Sequence, residues 1–355
     1  MRKSIKILTM MILVIYITAM TSATVPVIGA SKNTEQILFN GKNADISVSD
    51  YKSESSPGQY LFGGKIIYTL NEPQSTSFNR FTLKYSSSAA VKGIIHYEVN
   101  SQNYKEEFFL ESGYNLSFSS LTDGYLDKKY ASGVSKIEFR SIEAPVTTFS
   151  LYEVSTQKYD NNFGDTVYLE NSRFKLGVFL VWGGGLSYLE DKQDGDKSVK
   201  NMLNHCDTGR LVQQSYYGST TSPYICGTYN ETTWAYNPVQ GGDKYGNKSK
   251  LVDFSVNENS IYVKCRPLDW AKNNSYTLSY MENRYTLEKN IIKVDNRFID
   301  FSGYDHGTIK DQELPAFYTI SYLDTFTYYN GKKPWTDDTL TVKSNLPFWG
   351  GNNDC

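Results

Sequence analysis

The densest run of chemically versatile side chains is Asn204-His-Cys-Asp-Thr-Gly-Arg-Leu-Val-Gln-Gln-Ser-Tyr-Tyr-Gly218, followed by Tyr236-Asn-Pro-Val-Gln-Gly-Gly-Asp243. Such residues suit a sugar. Planar amides, carboxylates and guanidinium forks match pairs of hydroxyls, and the apolar face of a pyranose lies against Tyr or Trp. In that chemistry Arg210, Gln213, Gln214, Asn237 and Gln240 supply donors and acceptors, and Asp207 and Asp243 accept. Tyr216, Tyr217, Trp234 and Tyr236 are the candidate platforms. The same composition also describes a polar loop held together by its own hydrogen bonds, with the aromatics in the core.

A second cluster, Asp295-Asn-Arg-Phe-Ile-Asp-Phe-Ser-Gly-Tyr-Asp-His-Gly307, leads into Gln312-Glu-Leu-Pro-Ala-Phe-Tyr318. One neutral imidazole and one carboxylate suffice for proton transfer when both reach the same substrate atom. His205, Asp207, His306 and Glu313 are therefore the candidate catalytic groups. A glycosidase needs two carboxyl groups about 5 to 9.5 Å apart, and Asp207, Asp243 and Glu313 are the available stock. A lone histidine is equally at home as a satisfied structural residue, a reading that fits His96 best.

Other chemistries lack their residues. There is no Gly-x-Ser-x-Gly elbow, no His-Glu-x-x-His, no phosphate-binding Gly-Lys-Ser loop and no dinucleotide fingerprint. Gly183-Gly-Gly185 is a glycine-rich turn with no helix expected after it. Four cysteines, Cys206, Cys226, Cys265 and Cys355, match no zinc spacing. They read either as free thiols or as one Cys206–Cys226 disulfide, which export permits. No metal or cofactor is implied. With 36 Lys plus Arg against 38 Asp plus Glu, no global field attracts polyanions, and nucleic acid is not an expected partner.

The elements that must position these groups read as strands throughout. Residues 1–30 have the layout of a secretory signal: Arg2, Lys3 and Lys6, an apolar run from Ile7 to Ala19, then small residues around Ala23 and Ala30. That run is shorter than the roughly 20 apolar residues a bilayer span needs. The expectation is a secreted or extracellular protein with no membrane segment after cleavage. From 31 to 157 short period-two runs alternate with polar turns. In Val91–Val99, Ile95, Tyr97 and Val99 share one face, and Ile94, His96 and Glu98 share the other. Phe81–Tyr85, Glu106–Leu110, Lys136–Ile142 and Thr148–Val154 are similar. This pattern predicts a β-sandwich able to fold alone.

A second domain is expected over 158–355, because all five tryptophans fall there. Tyr276–Leu287 and Asn290–Phe301 read as consecutive long strands turning at Glu288-Lys-Asn290. Hydrophobic alternation fades between 205 and 250, and so long a loop inside a compact domain is usually functional.

The order Val181-Trp-Gly-Gly-Gly-Leu-Ser-Tyr-Leu, His205-x-Asp-Thr-Gly-Arg-Leu-x-Gln-Gln-Ser-Tyr-Tyr-Gly, Tyr236-Asn-Pro-Val-Gln-Gly-Gly-Asp and Gln312-Glu-Leu-Pro-Ala-Phe-Tyr resembles secreted proteins with a particular large domain. That domain is similar to the galactose-mutarotase-like supersandwich of many carbohydrate-active enzymes. The match spans about residues 165 to 320. It implies a mutarotase-like β-supersandwich over the second half, and the first half resembles a galactose-binding-type jelly roll. The chain is therefore expected to be all-β: a jelly-roll-like sandwich, a candidate carbohydrate-binding domain, followed by the supersandwich. In aldose mutarotases a histidine acid and a carboxylate base act on the ring oxygen and anomeric hydroxyl. The flanking motifs here do not align well enough to transfer those roles.

The resulting expectation is a secreted protein that binds or processes an extracellular poly- or oligosaccharide. As an enzyme it would be a glycoside hydrolase or polysaccharide lyase; the alternatives are a non-catalytic polysaccharide-binding protein and a structural envelope protein. Phe348 and Trp349, so close to the last residue, suggest a shortened supersandwich with weak or no catalysis.

Overall fold

The computed structural model describes residues 35–343 apart from 42, 57, 71–76, 122–129, 160–162, 194–199, 205–206, 305–311, 322, 324 and 330–339. Residues 1–34, including the stretch read above as a secretory signal, and His205, Cys206, His306, Phe348, Trp349 and Cys355 lie outside the described residues. Among those described there is no α-helix, only strands and two short 3-10 turns. The chain is all-β.

The first half contributes β1 (Glu35–Phe39), β2 (Ala44–Val48), β3 (Tyr51–Ser56), β4 (Gln59–Phe62), β5 (Lys65–Leu70) and β6 (Arg80–Ser87). It continues with β7 (Val91–Val99), β8 (Gln102–Leu110), β9 (Gly113–Ser120), β10 (Gly133–Ser141) and β11 (Thr147–Gln157). One sheet runs β3-β4-β11-β6-β9 with β1 also on β11, and the other runs β2-β5-β10-β7-β8. From β4 to β11 the chain crosses between sheets at every connection except β7–β8, and β4 ends beside β11. This is a jelly-roll strand order, two Greek keys wrapped into one sandwich. Alternation produces it: on β7 Val91, Gly93, Ile95 and Tyr97 are buried while Lys92, Ile94, His96 and Glu98 are not. The enclosed core is aromatic. Phe139 touches Tyr68, Phe108 and Phe149 at centroid distances of 5.8, 6.1 and 4.5 Å.

The second half begins with β12 (Thr166–Glu170), β13 (Phe174–Phe179), β14 (Gly185–Asp191), β15 (Gln213–Ser215), β16 (Gly227–Tyr229), β17 (Thr232–Trp234) and β18 (Pro238–Val239). It goes on with β19 (Lys250–Val256), β20 (Ser260–Arg266), β21 (Leu268–Asp269), β22 (Ser279–Glu288), β23 (Ile291–Asp300), β24 (Glu313–Ala316), β25 (Phe326–Tyr329) and β26 (Leu340–Lys343). The sheet β12-β13-β14 packs on β19-β20-β22-β23 across one apolar cluster that includes Leu176, Val178, Leu251, Ile261, Val263 and Tyr285. β22 and β23 pair from Ser279↔Asp300 to Glu288↔Ile291, and Lys289 takes the left-handed conformation at the turn. A further sheet of short strands, β21-β18-β15-β24, carries the residues of interest.

A third apolar cluster joins the halves: Ala90 and Phe109 from the jelly roll meet Val252, Tyr280, Ile299 and Phe301. Phe109 stacks on Phe301 at 5.3 Å, and its backbone N–H, on edge strand β8, donates to the Tyr280 hydroxyl at 2.9 Å. With Arg266 Nη1, which donates to Glu107 O at 3.3 Å, that bond caps the strand edge. Ion pairs Lys250–Glu106 and Arg80–Asp253 (3.1 Å) flank it, with little exposure on any partner.

Candidate functional site

β15, β18, β21 and β24 are two to four residues long, too short for backbone ladders to satisfy every polar group in a buried region. Amide side chains complete the ladders. Gln213 Nε2 donates to Thr208 O at 2.9 Å, and its Oε1 accepts from the Gly241 N–H at 2.6 Å. Gln240 accepts from the Gln214 N–H at 3.0 Å and donates to Gly183 O at 2.9 Å. Gln214 Nε2 reaches the neighbouring sheet, donating to Glu282 O and Asn283 Oδ1, both at 2.9 Å. Asn237 donates to Ser215 Oγ and Tyr216 O and accepts from Trp234 Nε1 at 3.2 Å. All four amides are buried, Gln240 completely.

The glycine-rich turn serves the same network. A 3-10 turn over Leu180–Trp182 ends on Gly183 (φ 63°) and Gly184 (φ 79°), left-handed conformations that suit glycine. A Cβ on Gly183 would lie 2.0 Å from Gln240 O, so no larger residue permits the Gly183–Gln240 contact.

Asp243 is also turned inward. Its carboxylate accepts from the Tyr245, Asn247 and Asn274 N–H groups and from Asn247 Nδ2, at 2.7–3.0 Å. It pins the 243–247 turn to the loop after Trp270, whose carbonyl accepts from the Lys244 N–H at 3.0 Å. Tyr236 is buried and donates to Asp300 Oδ1 at 3.0 Å. It forms a triangle with Tyr224 and Tyr304, every centroid distance 5.3 Å. Beneath, Tyr224 donates to buried Asp269 at 2.5 Å; burial raises the Asp269 carboxyl above its ordinary range, opposed by Tyr224 and Lys272. Tyr216 stacks on Phe298 of β23 at 4.5 Å and 25°.

Over this scaffold lies a partly exposed aromatic ridge. The β16–β17 hairpin presents Tyr229 and Trp234, and the loop after β21 adds Trp270. Trp234 lies 4.7 Å from Trp270 and 5.4 Å from Tyr229, and Tyr229 lies 4.8 Å from Trp270. Tyr217 extends the ridge, 6.4 Å from Trp234. Gln312 holds Tyr217 by both backbone groups, accepting from its N–H and donating to its carbonyl at 2.8 Å each, as a neighbouring strand would.

Beyond Tyr217 the ridge meets ionisable groups. Ser215 and Glu313 are paired across β15 and β24, and Tyr318 donates its hydroxyl to Glu313 Oε1 at 3.3 Å. Burial and then the Glu313 charge push Tyr318 up to about 12, and the same causes raise Tyr217. Arg210 is close enough to act on Tyr318 in the opposite sense. Asp207 is exposed, caps the Thr208–Arg210 turn through the Gly209 N–H (2.9 Å) and pairs with Arg210 Nε at 3.4 Å.

The candidates thus separate. Arg210, Tyr217, Trp234 and Glu313 reach or adjoin the ridge, with Asp207 beside Arg210. Gln213, Gln214, Tyr236, Asn237, Gln240 and Asp243 lie beneath it, and Tyr216 is held against β23. The sequence marks no role for Tyr229 and Trp270, and places Gln312 and Tyr318 in the second cluster without a role, although Tyr229 and Trp234 flank a hairpin turn whose Asn230 and Glu231 have positive φ. Cys226 is a free thiol and Cys265 is buried and free. No group of His, Cys, Asp and Glu among the described residues is arranged to hold a metal ion.

No protein-family model and no curated protein sequence matches the chain. Among solved structures it is similar to a family 29 carbohydrate binding module, at 10% identity and TM-score 0.27, over 36% of this chain and 90% of that one. It is also similar to a low-affinity xylan binding module from Roseburia intestinalis, at 11% identity and TM-score 0.26, over 36% and 96%. A third similarity is to the glycoside hydrolase domain of Endo-D from Streptococcus pneumoniae R6, at 11% identity and TM-score 0.22, covering 78% of this chain and 38% of that one. At these scores none of them defines the ligand of this chain.

Proposed function

We propose that this is a secreted protein that binds an extracellular poly- or oligosaccharide along the ridge of Tyr217, Trp234, Trp270 and Tyr229. The observation that carries this reading is the ridge itself. Aromatic side chains left partly in water lose hydration favourably when the apolar face of a sugar covers them. Their backing is rigid, because the buried amides and Asp243 fix the strands and loops that present them, so little conformational freedom is lost on binding. Arg210, Glu313 and Tyr318 supply polar partners for hydroxyls at one end. The basic and apolar leader supports secretion. Residues 31–157 and 158–355 are taken as two units, each with its own core, the second in the manner of a mutarotase-like supersandwich.

The test is a glycan array followed by titration of any hit with Trp234→Ala. Removing a central tryptophan from a stacking surface costs about 2 kcal/mol, roughly thirtyfold in affinity. A hit whose affinity is unchanged in the variant would place the binding elsewhere.

One feature favours a processing role on the same surface. Glu313, with Tyr318 donating to it, offers a carboxylate and a phenol within reach of a sugar lying across Tyr217. Product analysis on bound glycans, with Glu313→Gln as control, separates turnover from binding.

A further inference from the structure

We propose, resting on the binding role of the ridge, that its preferred occupant is an anionic polysaccharide, a chain of sugar rings carrying carboxylates. The inference comes from Lys244, at the end opposite Glu313, and from Lys248 four residues further along the chain. Lys244 Nζ lies 5.1 Å from the Tyr229 ring centroid and 4.9 Å from that of exposed Tyr245, and donates to Thr228 O at 2.5 Å. Lys248, on the same turn and exposed, lies 5.7 Å from the ring of Trp182.

Other cations of the second half also lie over rings, and their company differs. Arg173, Lys175, Lys264, Arg266 and Lys272 each have a carboxylate within 4.0 Å: Asp191, Glu170, Glu282, Glu107 and Asp269 respectively; Arg284, over the Tyr262 ring on the long β22–β23 hairpin, is the exception and lies away from the ridge aromatics. Lys244 and Lys248 have none among the described residues. The one carboxylate in their turn, Asp243, is filled by four N–H donors and faces inward. The Asp243 clamp therefore fixes the turn without neutralising its lysines. Net charge is only −2, so this positive patch is local and owes nothing to overall composition. A neutral glycan would leave both ammonium groups without an anionic partner, whereas a uronate chain stacked on Trp234 and Trp270 brings carboxylates to them.

The experiment measures binding of hexagalacturonate and of neutral cellohexaose to the full protein and to K244Q/K248Q and W234A. Salt is about 50 mM or about 500 mM NaCl, so that surface charge pairs are open or screened. Expected is tighter binding of the uronate at low salt, by on the order of tenfold as two exposed ion pairs allow, with the advantage lost at high salt and in K244Q/K248Q. Equal or tighter binding of cellohexaose, or a uronate affinity indifferent to K244Q/K248Q, would overturn the charge preference. Loss of both ligands in W234A alongside that outcome leaves the ridge as the site. If W234A leaves both affinities intact, or neither ligand binds, the ridge reading itself fails and takes the charge preference with it.

Discussion

The jelly roll and the ridge-bearing sheet solve the same problem, a buried β-structure, with opposite materials. In the jelly roll, strands of up to eleven residues satisfy one another's backbones and rings such as Phe62, Phe139 and Phe149 fill the space between sheets. In the sheet β21-β18-β15-β24, strands of two to four residues leave backbone groups over, and Gln213, Gln214, Asn237 and Gln240 meet them. A concentration of amides can therefore mark a scaffold as readily as a ligand site. What separates the two is where each hydrogen bond ends.

The largest expected effect lies in the jelly roll. Phe139→Ala empties the centre of its aromatic core and should cost about 3–5 kcal/mol, read as a shift in the denaturant midpoint. Glycan affinity of the fraction that remains folded should be unchanged, and a matching loss of affinity would tie ridge and jelly roll into one functional unit.

A smaller effect comes from the outer face of the same sandwich. His96 Nε2 pairs with Glu138 at 3.0 Å, and Lys136 shares that carboxylate at 3.0 Å. Burial and then the Lys136 charge lower the His96 pKa, with Glu138 and its hydrogen bond opposing. A histidine whose folded pKa lies below its unfolded value of about 6.5 contributes stability above that pH and loses it as pH falls through the folded value. Melting temperatures of the parent and His96→Gln, compared from above neutrality to below the ordinary histidine range, should converge as the solution becomes acidic. Parallel curves would show that the pairing with Glu138 offsets the burial.

Much of the fold was legible because alternation is a local signal. Val91–Val99, Lys136–Ile142 and the pair of long strands turning at Lys289 all form where period two and turn residues indicate. The site was legible only in place. Residues 205–243 and Gln312–Tyr318 do converge, but amide side chains carry no sequence mark of whether they face a ligand or a backbone. Gln240 and Arg210 look alike as polar loop residues, yet one is fully buried against Gly183 and the other lies beside Asp207 at the surface. Trp270 was hidden for another reason. It joins Trp234 through the pairing of Pro238 with Asp269 and through its own backbone N–H, which donates to Asn237 O at 2.9 Å, contacts of short strands that leave no periodic trace.

The central claim, that the aromatics bind while the amides hold, is tested most directly by a paired measurement of melting and glycan titration on Trp234→Ala and Gln240→Ala. Gln240→Ala strands the Gln214 N–H and Gly183 O in a buried region, at about 1–3 kcal/mol for each. The account predicts an early melt with near-parental affinity below the transition for Gln240→Ala, and lost affinity with a smaller fall in melting temperature for Trp234→Ala, which gives up one bond to Asn237. The reverse assignment, affinity lost at an unchanged melting temperature in Gln240→Ala, would contradict it.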